Sequence, residues 1–447
     1  MKRGAHYHLA IYRALGLYVR AIEQSNPTEL GHYNRLCVRG YPVNAPPCLI
    51  RIETDLRYRY RLAASAIWAI PSALLIRLIR PLILIRICGI RSDRIGHFVA
   101  DIAEHIGREK IKSPGTFNFY FFKGPISNTQ WELMAKRSSL KVLGNWLRYL
   151  DDWNRFVPGG RLHAVHSSLT GSRDTEGLFS HFDCSIPFHP SEDAECQNWL
   201  EAQGWSKGEP FVTILVRDSA YLSQHHSNYD WRNHSYRDSD IKTYLPAMEW
   251  LTSQGVWVLR MGKSMASQIQ TKSNRIIDYA FDPQRSDLLD IWLFANSSAI
   301  ISTASGLDYL GGIYRKPILF VNALPLLDLA SFFDMTWVPK NLVWKKSGET
   351  LTLSETIQNT YYHSHEYESN GIEVEDLSTK VITQSVIEFW QKTSNTKKDS
   401  AGDIDTQRLF WAIFTENPKF REKHNVVHKN ARVGTFWLST VGQRYLR

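Results

Sequence analysis

The 447-residue chain is poor in cysteine: Cys37, Cys48, Cys88, Cys184 and Cys196 are odd in number, widely spaced and free of any C-x-x-C pair. That argues against a disulfide framework and a cysteine zinc site, and fits a reducing cytosol. A continuous apolar run of membrane-spanning length is also lacking. The longest uncharged apolar piece, Leu62 to Ile76, falls short of the roughly 20 residues that a bilayer requires. The start has a helical pattern over Met1 to Gln24 (Tyr7, Ile11, Leu15, Tyr18, Ile22) but no signal-peptide core with a small-residue cleavage site. There is no repeat of fixed period, no collagenous or coiled-coil tract and no long low-complexity segment. Acid is scarce at the front: residues 1–95 hold 15 Lys and Arg against 5 acids, so the formal charge of +9 resides there and the remainder is near neutral. Nucleic acid is therefore not the expected partner.

Those arginines flank and interrupt the apolar stretch Leu62 to Ile87, with Trp68, Pro71, Arg77 and Arg80 inside it. Two readings stay open: a helix lying in an anionic membrane interface with its arginines reaching the headgroups, or a buried helix with solvated arginines. The length suits two α/β domains with a tail. Residues 1–80 form a basic, membrane-associating extension, 81–190 a first Rossmann-like unit, 191–395 a second and 396–447 a tail that packs back; the boundary falls near Ser185 to Lys207.

In the first unit, Leu82 to Ile87 has strand character, Gly89 to Gly96 reads as a loop and His97 to Ile106 as a helix. Thr116 to Phe122 is the next strand, Ser127 or Asn128 caps a helix from Thr129 to Arg137, Leu140 to Phe156 reads as helical, and Arg161 to His166 as a strand. Ser191 to Gln203 is a helix, and Lys392 to Asp405 is disorder-prone.

The second unit is the more informative. Phe211–Val216, Val256–Leu259, Arg275–Tyr279, Ser298–Thr303 and Pro317–Asn322 alternate with helical runs, and charge or small polar residues gather where the strands end. In open α/β sheets the carboxyl ends of parallel strands form the ligand crevice. Arg217 and Arg260, with Gly262, follow two of these strands, and Thr303-Ala-Ser-Gly306 turns a third into a helix. Guanidinium groups and unpaired helix-start amides, with the Thr303 and Ser305 hydroxyls and the bare Gly306, suit a diphosphate. For each alone, a salt bridge or an ordinary cap is the competing reading. Asp278 and Arg285 stand where a nucleoside is held in such sheets, and Asp287 reads as a helix cap. The loop from His225 to Asp240 points to sugar or phosphate contact through Asn233, Tyr236 and Arg237, with Asp240 capping a helix from Ile241. Its histidines lack metal-ligand spacing, so no metal is expected.

Arg217-Asp-Ser-Ala-Tyr-Leu222, Tyr236-Arg-Asp-Ser-Asp-Ile241, Arg260-Met-Gly262, Arg285-Ser-Asp287 and Thr303-Ala-Ser-Gly306 together resemble a group of bacterial glycosyltransferases found with surface-polysaccharide genes. The resemblance extends to Arg91–His97, Ile126-Ser-Asn128 and Arg432–Phe436, covers most of the chain from about residue 80, and is weak over residues 1–60. It implies a GT-B-like α/β architecture, two Rossmann-like domains facing across a cleft, with Arg94, Gly96 and Asn128 on the first domain's loops. Arg217 is similar to the strand-end arginine of fucosyltransferases, and the Thr303 turn to the Ser/Thr-Gly turn of heptosyltransferases. Ala304 stands where the group more often carries a second Ser, which removes a donor.

The activity so implied is metal-independent transfer from a nucleotide-diphosphate sugar to a glycan or lipid-linked acceptor in cell-envelope polysaccharide synthesis. The enzyme would be cytoplasmic or peripheral on the inner membrane face, and would need no cofactor beyond the donor. His97 is the candidate base and Asp101 the second choice. A sugar-nucleotide epimerase of the same fold and a non-catalytic carbohydrate- or membrane-binding scaffold are the alternatives.

Overall fold

The computed structural model describes residues 47–165, 173–218 and 231–447, without the side chains of 47–55, 231–233 and 422. The helical pattern expected over residues 1–24, the first part of the histidine loop, residues 225–230, and the Asn233 side chain lie outside the described residues.

Helix α1 (Pro47–Leu78) leads into β1 (Leu84–Arg91), which pairs in parallel with β2 (Thr116–Lys123) along its whole length. The first strand runs on to Arg91 rather than ending at Ile87, because Gly89 is no loop residue: the Lys123 side chain fills the space where a β-carbon would sit. Helix α2 (Ile95–Ile111) follows β1, and α3 (Thr129–Arg137) follows β2, with Asn128 Oδ1 accepting the Trp131 N–H at 2.8 Å as the expected cap. The helix expected from Leu140 is two elements, a short β3 (Lys141–Val142) beside β2 and α4 (Leu147–Phe156), with Gly144 between them. The strand expected at Arg161 is a single 3-10 turn, Gly160–His163, after which Ala164 alone bridges to Ile87.

Helix α5 (Pro190–Ala202) crosses to the second unit. There, seven parallel strands stand in the order β12-β9-β8-β7-β4-β5-β6. They are β4 (Phe211–Leu215), β5 (Trp257–Arg260), β6 (Ile276–Ile277), β7 (Ala299–Ser302), β8 (Ile318–Val321), β9 (Met335–Val338) and β12 (Arg432–Val433). Near-continuous apolar runs such as Ala299-Ile-Ile are what a sheet covered on both faces demands, and β4, β5 and β7 are buried throughout. The helices α6 (Leu245–Ser253), α7 (Asp287–Asn296), α8 (Asp308–Ile313) and α9 (Thr379–Thr393) cover it. The antiparallel pair β10 (Asn341–Trp344) and β11 (Ile372–Glu375) stands apart. The fold class expected from sequence, α/β with two Rossmann-like units, is the one observed.

The chain's last stretch is built in. The segment expected to be disordered ends α9 and starts α10 (Ala401–Glu416), and in between Asp399 pairs with Arg432 at 2.8 Å and Lys392 at 2.6 Å. After β12, the first amides of α11 (Thr435–Val441) donate to the Glu388 carboxylate at 3.0 and 2.8 Å.

His424 is wholly buried here, stacked on Phe420 and bonded through Nε2 to the Leu327 carbonyl at 2.7 Å. Burial, aided by nearby Arg173, pushes its imidazole down to about 3. An unfolded histidine titrates near 6.5, so below that pH the unfolded chain takes a proton that the fold refuses. This contribution is intact above pH 6.5 and is lost as the pH falls toward 3, a cost of roughly 2 kcal/mol at pH 5. His424→Phe should therefore flatten the fall in urea midpoint between pH 7 and pH 5; an unchanged pH slope would show that His424 does not contribute.

Candidate site at the strand crossing point

Strand order reverses between β4 and β7, so the crevice of the second sheet opens beyond the carboxyl ends of these two strands. The backbone is stitched there one step past the strands. Thr303 N–H donates to the Leu215 carbonyl at 3.2 Å, and Arg217 N–H donates to Thr303 Oγ1 at 2.9 Å. The Arg217 carbonyl accepts Ser239 N–H at 3.0 Å, which draws in the segment after Tyr236.

Two guanidinium groups meet at this point, and a third stands on the turn of the first unit that faces it. Arg217 lies with Nε 3.2 Å from Asp238 Oδ1. Arg237 donates from Nη2 to the Ala304 carbonyl at 2.8 Å, while its Nε is buried without a hydrogen-bond partner. Arg94 is exposed at the start of α2, in the first unit. Burial, then the positive charge of Arg237, with a smaller push from Arg94, drives the Arg217 pKa down to about 10 against the opposing pull of Asp238. His234 feels the same field: burial, neighbouring His363 and the two arginines hold it down to about 4.

The Thr303 turn is shaped from beneath. Asp308, buried at the start of α8, accepts the Ser302 hydroxyl at 2.9 Å and the Ser305 N–H on one oxygen. Burial raises its carboxyl to about 7. Ala304 occupies the left-handed region at φ 61°, a costly conformation for a residue with a side chain. The turn's Thr303 hydroxyl and the Thr303 and Ser305 amides are thus engaged within the protein. Gly306 serves a different neighbour from the expected phosphate: a β-carbon on it would lie 2.8 Å from Gly96 N, and one on Gly96 would lie 2.8 Å from Gly306 Cα. The two strand-to-helix turns, one from each unit, meet backbone to backbone.

Other expected site residues have partners within the protein. Arg260 is completely buried, bonded to Asp278 Oδ1 at 3.0 Å and the Ser267 carbonyl at 3.1 Å, beneath the Phe281 ring. Arg260 and Asp278 therefore hold each other. Gly262, at φ 150°, leaves room for Met265. Arg285 lies 3.5 Å from Asp290, which also receives the Tyr279 hydroxyl. Tyr236 belongs to a small apolar cluster with Tyr367, Leu342 and Ile372. Asn128 is buried, and its Nδ2 donates to the Asp287 carbonyl at 3.1 Å. Asp287 is not the cap of α7, since Ser286 accepts the Leu289 N–H; its carboxylate instead takes the Thr129 N–H and hydroxyl, both at 2.8 Å, across the unit boundary. On α2, His97 is half-buried and Asp101 buried, one turn apart and hence on one face.

Two residues escaped the sequence reading. Asp238 immediately follows Arg237, and Asp308 stands three after Ser305, a spacing that signals a helix-start cap. Among the described residues no group of three or more His, Cys, Asp or Glu side chains is arranged to hold a metal ion.

No family model matches the chain, and no curated protein matches it. Solved structures similar to it include a glycosyl transferase family 9 protein from Veillonella parvula, 11% identical with a TM-score of 0.40, covering 58% of this chain and 86% of that one. ADP-heptose LPS heptosyltransferase II from E. coli is 10% identical with a TM-score of 0.33, covering 54% and 86%. E. coli heptosyltransferase WaaC with ADP is 11% identical with a TM-score of 0.29, covering 57% and 91%. At such scores the functional reading rests on this chain's own residues.

Two substitutions test the placements. Gly96→Ala should destabilise the protein by about 1–3 kcal/mol, since backbone stands where the methyl must go, whereas Gly402→Ala in α10 should be neutral or stabilising in the same melting assay. Arg260→Met strands Asp278 and should cost about 3–5 kcal/mol by urea unfolding; a change below 1 kcal/mol would return Arg260 to the list of ligand contacts.

Proposed function

We propose that the chain is a glycosyltransferase that moves a sugar from a nucleotide-diphosphate donor to a hydroxyl acceptor, with the diphosphate held by Arg217 and Arg237 and faced by Arg94. The observation that carries this reading is the placing of Arg217 and Arg237 at the strand crossing point, with Asp238 as the paired carboxylate and Arg94 near enough to act on Arg217. Guanidinium burial is unfavourable there without a bound anion, and a diphosphate would relieve it by charge-assisted, bidentate contacts.

As the acceptor oxygen attacks the anomeric carbon, the bond from that carbon to the diphosphate oxygen breaks and negative charge grows on the leaving group. Fixed cations aimed at that oxygen stabilise the transition state more than the ground state, so the reaction proceeds without a metal in this reading. His97, half-buried at the front of α2 and across the Gly96–Gly306 contact, takes the acceptor's proton; buried Asp101 one turn on orients it. The acceptor is a glycan or lipid-linked sugar of the cell envelope, and the enzyme works in the cytoplasm at the inner membrane face.

A panel of UDP-, GDP-, dTDP- and CMP-sugars, with and without lipid-linked acceptor, decides the reaction. Acceptor-dependent nucleotide release is expected from a diphosphate donor. Release without acceptor would make the protein an epimerase, and absence of nucleotide binding would refute both. Arg217→Ala should weaken nucleotide-diphosphate binding by roughly 10- to 100-fold, the value of a charged hydrogen bond, while leaving nucleoside binding within about twofold; equal losses would assign Arg217 to folding.

A further inference from the structure

Helix α1 has two apolar sides. Its inner side, with Ala69, Ala73 and Ile76, packs on Ile87, Phe121, Leu147 and Leu150, and Leu62 on the same side is buried. Trp153 Nε1 donates to the Leu62 carbonyl at 2.9 Å, and the Arg77 guanidinium donates to the carbonyls of Pro158 at 2.7 Å and Val157 at 3.0 Å. Among the described residues the outer side has no such cover. Leu56, Tyr60, Ile67, Leu74, Leu75 and Leu78 are all exposed, Ile67 by 84% and Leu78 by 76%. At about 100° per residue these positions fall within one broad stripe opposite the buried side. Trp68 sits at its margin, edge-on to Trp146, which is itself half exposed.

Charge is distributed to match. No charged residue occurs from Leu62 to Ile76, while Arg57, Arg59 and Arg61 precede that stretch and Arg77 and Arg80 follow it. Arg59 and Arg61 lie on opposite flanks of the outer stripe, where long cationic stems can run along apolar surface and place their heads in a polar layer. By length and composition Leu56–Leu78 could cross a membrane. Spanning would tear the inner side from α4 and β1 and strip Arg77 of its carbonyl partners. A helix bound to protein on one side and apolar on the other, edged by arginines, is built to lie in an interface.

We propose that the outer face of α1 docks the protein on an anionic lipid bilayer, with Ile67, Leu74, Leu75 and Leu78 entering the acyl boundary, Trp68 and Trp146 at headgroup level, and Arg59 and Arg61 on lipid phosphates. The proposal stands on this helix alone and does not depend on the reaction assigned above. It commits to lipid over a second copy of the chain because of the arginine margin: a self-complementary contact would bring these like charges together.

The test is flotation of the full chain with vesicles of equal parts phosphatidylglycerol and phosphatidylcholine, and with phosphatidylcholine alone. The chain should float with the anionic vesicles and less with the neutral ones. Ile67→Glu/Leu75→Glu/Leu78→Glu, all at exposed positions, should lower partition by roughly 100-fold or more, with far-UV circular dichroism unchanged. Should that variant fail to fold, brominated lipid should quench the wild-type tryptophan emission, and less so in Trp68→Phe/Trp146→Phe. Failure to float at low salt, flotation of the folded triple variant at wild-type level, or a lipid-free dimer that this variant turns into a monomer would each overturn the proposal.

Discussion

Two polypeptide backbones touch at Gly96 and Gly306, and much of the arrangement follows from that contact. Each glycine closes a strand-to-helix turn, one in each α/β unit, and a methyl group on either would meet main chain rather than a yielding side chain. The contact sets how far α2 approaches α8. It brings Arg94 within electrostatic reach of Arg217. The bonds of Asn128 and Thr129 to Asp287, and of Trp292 to Asp193, keep the same alignment further along the boundary. A core shared by Ile90 and Phe98 with Ile214 and Ile300 makes the two units one packed body.

Within that frame the site concentrates positive charge where solvation is poor. Asp238 compensates part of it, and Asp308, on the far side of the turn, is raised toward neutrality by its own burial. Together with the left-handed Ala304, this makes the crossing point a place where the fold accepts unfavourable local terms.

Much of this was legible from residue pattern. The strands of the second unit, the Asn128 cap and the position of Arg217 and the Thr303 turn follow from short continuous apolar runs, cap chemistry and the strand-end rule. What misled was side-chain direction and local crowding. Arg217 stands past the end of β4, whereas Arg260 is the last residue of β5 itself, where Asp278, just after β6, pairs with it. Gly89 looks like a loop residue until Lys123 is seen filling its missing side chain. Gly306 invites a phosphate in one dimension and meets Gly96 in three. Asp287 has the composition of a cap but serves Thr129, a partner 158 residues away. Such pairings depend on the arrangement of the units, which local sequence does not encode.

The place of β12 bears on how the protein is made. The strand that borders β9 comes from Arg432–Val433, far along the chain from Val338 where β9 ends, and the helix after it is held by Glu388. During synthesis the sheet carrying the arginine cluster stays one strand short, with the β9 edge open, until the long intervening segment and Arg432–Val433 have been made. The segment around Arg432 thus acts as a closing seam for a sheet whose other strands are all made before it.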